Sequence, residues 1–98
     1  MKIDRPRGTP HPRYPALVYP LDYGYLEGTR SGDAGGVGGV DVWMGSAPEK
    51  TVTAVVCTVD LHKRDAEVKI LLGCTAAEAR AVAAFHNSGF QSAILVER

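Results

Sequence analysis

Five of the six prolines fall between residues 5 and 20, and six of the eleven glycines fall between residues 28 and 39. Proline fixes its own φ, removes a backbone donor and pushes the preceding residue toward extended conformations. Arg5 to Pro20 therefore reads as an extended, loop-like segment draped over a surface. A run of glycines is costly to order, because each loses more backbone entropy on folding than other residues do. The second cluster reads as a loop, which leaves regular structure to the stretch between the clusters and to residues 40–98.

Within those limits, Leu17–Leu26 is a strand candidate, with Leu17, Val18, Tyr19, Tyr23, Tyr25 and Leu26 framing Pro20 and a bend or bulge at Gly24. Val40–Met44 is a short strand, and Gly45–Lys50 is a turn. Thr51–Leu61 has the Val and Thr content of a largely buried strand, and Val68–Leu72 is its partner across the polar connection 62–66. Thr75-Ala76-Ala77-Glu78 spells a capping box for a helix over Ala76–His86, which Gly89 is placed to end in the left-handed conformation. Phe90–Val96 reads as a last strand. About five strands, one C-terminal helix and no βαβ alternation give a mainly β (α+β) single domain over residues 1–98, built as a small barrel or curled sheet.

Charge and composition remove several function classes. Eleven basic residues balance eleven acidic ones, which lacks the basic excess of a nucleic-acid or anionic-membrane binder. No stretch approaches the roughly 18 apolar residues of a membrane span, and no apolar run follows Met1–Pro6, so a cytoplasmic location is expected. Cys57 and Cys74 have neither metal-ligand nor C-x-x-C spacing and read as buried thiols. A small domain is marginal alone, so a homo-oligomer is expected.

The residues with chemistry to offer start with Asp33 and Asp41, carboxylates around the glycine loop that suit a hard cation such as magnesium. Exposed aspartates beside glycines are also ordinary turn residues, bonding nearby backbone amides. Three further patterns stand in order: Tyr19-Pro20-Leu21-Asp22-Tyr23-Gly24-Tyr25, Gly32-Asp33 followed by Val40-Asp41-Val42, and Glu67-Val68-Lys69, with Asp4-Arg5 upstream. This series resembles the family I soluble inorganic pyrophosphatases, whose Y-P-x-N-Y-G segment leads into an aspartate-rich loop ending in D-V.

The resemblance implies an OB-like β-barrel that hydrolyses pyrophosphate, or a related small phosphate compound, with magnesium, or manganese in its place. It makes Tyr23, Asp41 and Lys69 catalytic, with Arg5, Tyr23 and Lys69 on phosphate and Asp33, Asp41 and Glu67 on metal. Arginine offers phosphate a planar fork and lysine a point charge. The family loop carries D-x-D-P-x-D, whereas Gly35-Gly36-Val37-Gly38-Gly39-Val40-Asp41 lacks the middle aspartate and the proline. A further metal-binding aspartate of the family falls near His62 or Asp65, and Asp65 is the better donor for magnesium. The family's N-terminal strands have no counterpart before Met1-Lys2-Ile3.

Those departures favour a rival reading: a catalytically degenerate pyrophosphatase-like protein that binds a phosphate compound or another small ligand. A single-stranded nucleic-acid module is a third reading, disfavoured by the absence of basic-aromatic interleaving. Other residues have plain explanations. Lys69 could point to solvent by strand alternation, and Tyr19 and Tyr25 could fill the core. His86 fits the helix dipole, and Asp22 and Glu27 fit a solvated face. His11 and Arg13 lie upstream of the tyrosine block, within reach of an anion there. Trp43 follows Asp41 by two and belongs on the same strand face.

Overall fold

A computed structural model of the chain describes residues 1–29, 39–88 and 91–98. Its elements run β1 (Lys2–Arg5), β2 (Asp22–Leu26), β3 (Val40–Met44), β4 (Val52–Asp60), β5 (Asp65–Leu72), α1 (Ala76–His86) and β6 (Gln91–Glu97). The six strands form one sheet in the order β1-β2-β3-β5-β4-β6. Neighbours are antiparallel except β3 and β5, which run parallel over Val42–Ile70, Trp43–Leu71 and Met44–Leu72. The fold is thus mainly β with one helix, but among the described residues the sheet is not closed into a barrel: β1 and β6 are its two edges. The helix is followed by the edge strand β6, so it is the last helix and not the last element.

The expected strand at 17–26 shortens to Asp22–Leu26. Pro20 cannot donate to a ladder, and the chain before it is folded back on itself instead. Gly8 donates to the Tyr19 carbonyl at 2.9 Å, Tyr19 to Thr9 at 3.0 Å and His11 to Leu17 at 2.7 Å. The proline-rich segment is therefore a hairpin-like excursion that delivers Tyr19 and Leu21 to the core, each only 6% exposed. The sixth strand, β1, has no apolar periodicity to announce it; all four of its residues are exposed. The irregularity expected at Gly24 lies across from it, between Ile3 and Arg5. Gly24 itself is required by close approach, since a Cβ there would fall on the Lys2 carbonyl.

β4 and β5 make a hairpin closed by residues 61–64, with Arg64 in the left-handed region at φ 58°. β4 is half-buried rather than largely buried: Ala54, Val56 and Thr58 point inward while Val59 is exposed. At the helix start the Thr75 hydroxyl accepts from the Glu78 amide at 3.2 Å, and Glu78 Oε1 accepts from the Thr75 amide at 2.8 Å. The Glu78 carboxylate also accepts from the Ser46 amide at 3.2 Å, tying the cap to the turn after β3. Gly89 lies outside the described residues; Asn87 is the C-cap, and its side-chain oxygen accepts from the Ala93 amide of β6 at 2.9 Å.

The core fills the space between α1 and one face of the sheet, around Trp43, Val56, Leu71 and Val82, none of which is exposed. Of the two thiols expected to be buried only Cys74 is, and burial, then the charge of Glu78, pushes it up to about 11; Cys57 is partly exposed, because it alternates with Val56 and Thr58 onto the other face of β4. No helix among the described residues is long and apolar enough to cross a membrane.

Replacing Gly24 by Ala should separate β1 from β2 and lower stability by about 1–3 kcal/mol, the usual scale of overpacking. Urea denaturation and hydrogen exchange at Lys2–Arg5 measure it; an unchanged midpoint would contradict the close β1–β2 contact.

Candidate functional site

The site is organised by one buried cation. Lys69 comes from the inward-facing register of β5 and is only 6% exposed. Strand alternation alone allowed it to face solvent, but its neighbour on β4 is Val56, and both point to the helix side of the sheet. A buried ammonium needs partners for its donors. Lys69 Nζ donates to Tyr23 Oη at 2.8 Å, to Asp41 Oδ2 at 2.9 Å and to Glu67 Oε2 at 2.7 Å. Burial alone would push the ammonium down, but the Tyr23 oxygen and the Asp41 and Glu67 carboxylates outweigh it. Lys69 is held charged, above the ordinary lysine value.

Three strands supply these partners: Tyr23 from β2, Asp41 from β3 and Glu67 from β5. Pairing puts Tyr23 opposite Trp43 and Tyr25 opposite Asp41, so β2 and β3 present Tyr23 and Asp41 to the same face. Burial raises the Tyr23 pKa well above the ordinary phenol value, so its hydroxyl stays protonated at neutral pH. Accepting from Lys69, it directs its own proton to Asp41, which also helps keep it protonated. Each carboxylate gives a single oxygen to Lys69, and Asp41 remains about one-third exposed at its side chain.

Tyr23, Glu67 and Lys69 form one wall of a cavity of about 170 Å³ that is also lined by His11, Thr58, Asp60, Lys63, Asp65 and Gln91; Asp41 is not part of its lining and meets it only through Lys69. His11 stacks on Tyr19 with ring centroids 6.0 Å apart. Its Nδ1 accepts from the Arg13 and Tyr14 amides at 3.0 and 3.1 Å, which leaves the ring proton on Nε2. Burial and the nearby Arg5, Arg13 and Lys63 charges hold its pKa below the usual imidazole value.

The sequence-derived candidates are thus placed as follows. Tyr23, Asp41, Glu67 and Lys69 are in mutual contact through Lys69, and Asp65 lines the same cavity. Arg13 lines an adjoining cavity of about 250 Å³ that shares His11, Asp60, Lys63, Phe85 and Gln91 with the first. Arg5 sits directly across from Tyr23 in β1 but is exposed and lines neither cavity. Asp33 lies outside the described residues. Asp22 accepts from the Arg7 amide at 2.8 Å and so secures the excursion.

Sequence reasoning passed over Asp60, Lys63, Gln91 and His86, all of which line the cavity. The signal for Asp60 was present in the hairpin: counting inward by twos from Val56 reaches Asp60, which faces Asp65 across the pair. His86 had been assigned to the helix dipole, yet it is buried and neutral. Nε2 accepts from Trp43 Nε1 at 3.0 Å, so Nδ1 carries the proton and donates to Gln91 Oε1 at 2.9 Å. Burial lowers its pKa to about 4.

The carboxylates offered are oxygen donors of the kind magnesium takes. Among the described residues, however, no three Asp, Glu, His or Cys side chains converge closely enough to hold an ion. Asp41 and Glu67 instead share a lysine. They therefore fit a cation that brings oxygens of its own better than one held by the protein alone. Comparison of the chain with protein-family models, with curated proteins and with solved structures finds no match.

The linkage at His86 is measurable. The unfolded chain binds a proton at this residue below pH 6.5, whereas the folded chain does so only near pH 4. Stability from this group is fully present above pH 6.5 and falls as pH drops from 6.5 toward 4, by up to about 3 kcal/mol. Thermal melts across that window should show the loss, and the Trp43 indole N–H resonance should shift near pH 4. His86→Gln, which keeps an acceptor, should flatten the slope; an unaltered slope would assign it to other groups.

Proposed function

We propose that the cavity binds pyrophosphate as its magnesium complex and cleaves the phosphoanhydride with water, as the resemblance to family I pyrophosphatases implies. The observation that carries this reading is the convergence of Tyr23, Asp41 and Glu67 on Lys69, four residues of that resemblance drawn from three strands onto one buried ammonium. Charge supports it as well. The cavity sets the carboxylates of Asp60, Asp65 and Glu67 against the ammonium groups of Lys63 and Lys69, a mixed lining that offers oxygens to a divalent cation and positive charge to phosphate.

Magnesium is usually held by one or two carboxylates plus substrate phosphate oxygens, not by an all-protein cage. Glu67, through the oxygen that does not face Lys69, and Asp65 are the cavity carboxylates it would meet, with Asp41 tied to them through Lys69, and manganese could take its place. Bound there, the ion would neutralise phosphate charge and make a coordinated water more acidic. The chain's own groups do the rest. Lys69 opposes the charge on a phosphate oxygen, the Tyr23 hydroxyl turns its hydrogen bond from Asp41 to a phosphate oxygen while keeping its proton, and His11 and Arg13 receive the outer phosphate at the mouth. Water adds to one phosphorus, the bridging P–O bond breaks, and two phosphates leave. Free thiols at Cys57 and Cys74 suit a reducing compartment, in keeping with a cytoplasmic enzyme.

A second reading rests on a specific observation. Because no three metal-ligating side chains converge among the described residues, the protein could retain phosphate recognition without turnover.

Phosphate release from pyrophosphate under magnesium or manganese titration separates the two. Metal-dependent release that falls roughly a hundredfold in Asp41→Asn, on the scale of losing one electrostatic group at a reacting centre, supports the hydrolase. Calorimetric binding of pyrophosphate without release supports the binder. Neither release nor binding by folded protein overturns both.

A further inference from the structure

The cavity beside Lys69 opens sideways into the one that holds Arg13. His11, Asp60, Lys63, Phe85 and Gln91 line both, so the two are an inner and an outer half of one cleft. At about 170 and 250 Å³, neither half alone reaches the roughly 300 Å³ at which small-molecule pockets begin, and joined they exceed it. Such pockets are walled by apolar and aromatic side chains, with a few polar groups that fix orientation.

The halves differ in chemistry. The inner one presents Lys69, Glu67, Asp65 and the Tyr23 hydroxyl. The outer one adds Tyr14 and Leu17 to the Phe85 that both share. Inorganic pyrophosphate is covered by oxygens and has no apolar surface to set against that wall. A ligand that fills the outer half must carry carbon. Aromatic rings gather there as well: the His11 ring centroid lies 5.3 Å from that of Tyr14 and 6.4 Å from that of Phe85. Rings of this kind are what a flat heterocycle stacks on.

Charge follows the same order along the cleft. Lys69 stands in the inner half, Lys63 lines both halves and Arg13 lines the outer one. Asp60 also lines both, but its Oδ1 is engaged by the His62 and Lys63 amides at 2.9 and 3.0 Å. A second phosphate leading out of the inner half therefore meets Lys63 and then Arg13.

We propose that the cleft takes an organic diphosphate of the nucleoside diphosphate kind. Its terminal phosphate lies at Lys69, its esterified phosphate by Lys63 and Arg13, and its ring against Tyr14, Leu17 and Phe85. This rests on the reading of the inner half as a site for magnesium-bound phosphate, and narrows the substrate of that site to an ester. In the hydrolase, the oxygen of water bonds to the terminal phosphorus, and the bridging P–O bond breaks with its electron pair left on the esterified phosphate. A nucleoside monophosphate, inorganic phosphate and one proton are the products.

Calorimetric titration of the full chain in magnesium with inorganic pyrophosphate, methyl diphosphate and adenosine diphosphate tests this. Methyl diphosphate has the charged end of the nucleotide without its sugar and ring. Adenosine diphosphate should bind at least about tenfold more tightly than methyl diphosphate, the scale of one base stacked on an aromatic side chain. Ser88→Trp alters a residue that lines the outer half alone; it should abolish that advantage and leave pyrophosphate affinity unchanged. Leu17→Ala, which thins the apolar wall, should cut the advantage about threefold. Circular dichroism checks that each variant is folded, and if neither is, the comparison of ligands on the wild-type chain still decides. Pyrophosphate bound with no preference for adenosine diphosphate over methyl diphosphate overturns the inference and leaves the phosphate site standing. A preference that survives Ser88→Trp also overturns it, and no binding of any of the three by folded protein overturns both readings.

Discussion

The indole of Trp43 has to be wholly out of water, and its N–H must still find an acceptor. Both demands are met by one neighbour, His86, at the end of the only described helix. That hydrogen bond fixes the distance of α1 from β3, and the rings of Tyr19, Tyr23 and Phe85 close around the same indole with centroids 4.6–5.7 Å away. The arrangement needs a neutral imidazole, because a protonated Nε2 could not accept. The helix dipole would favour a charged histidine at this position by a few tenths to about 1 kcal/mol. Desolvation of a buried charge costs more, and it decides the protonation state.

Lys69 obeys the opposite logic a few ångströms away. Its cost of burial is offset by two carboxylates and a phenol, so it keeps its charge where His86 gives up its own. The same β2–β3 pair supports both groups, Trp43 for the histidine and Tyr23 with Asp41 for the lysine. A neutral tryptophan–histidine pair in the core thus adjoins a cavity wall that holds a charged lysine. Tyr23 belongs to both, with its ring against Trp43 and its hydroxyl on Lys69.

What could be read from sequence was governed by local physics. β3 and the whole of α1 were legible because a β-branched run and a capping box act within a few residues. Four site candidates were legible through the tyrosine block and the spacing of Asp41, Glu67 and Lys69. β1 was not, because its residues are exposed and its pairing is set by a glycine twenty positions away. Closure was also overestimated: nothing local in six strands says whether the first and last will meet. Asp60 and Gln91 join the cavity only through strand register, which appears once β4, β5 and β6 are aligned.

The parallel contact between β3 and β5 spans just three residue pairs, and it is the seam between two smaller sheets, β1-β2-β3 and β5-β4-β6. Every described member of the lysine cluster straddles it, with Tyr23 and Asp41 on one side and Glu67 and Lys69 on the other. The ion pair between Asp41 and Lys69 is therefore a clasp between halves, and its lysine is also part of the cavity wall. Any small molecule that bridges the two sides adds its binding free energy to that clasp, because it binds the joined form alone. Occupancy of the cavity and integrity of the sheet are in this way one equilibrium.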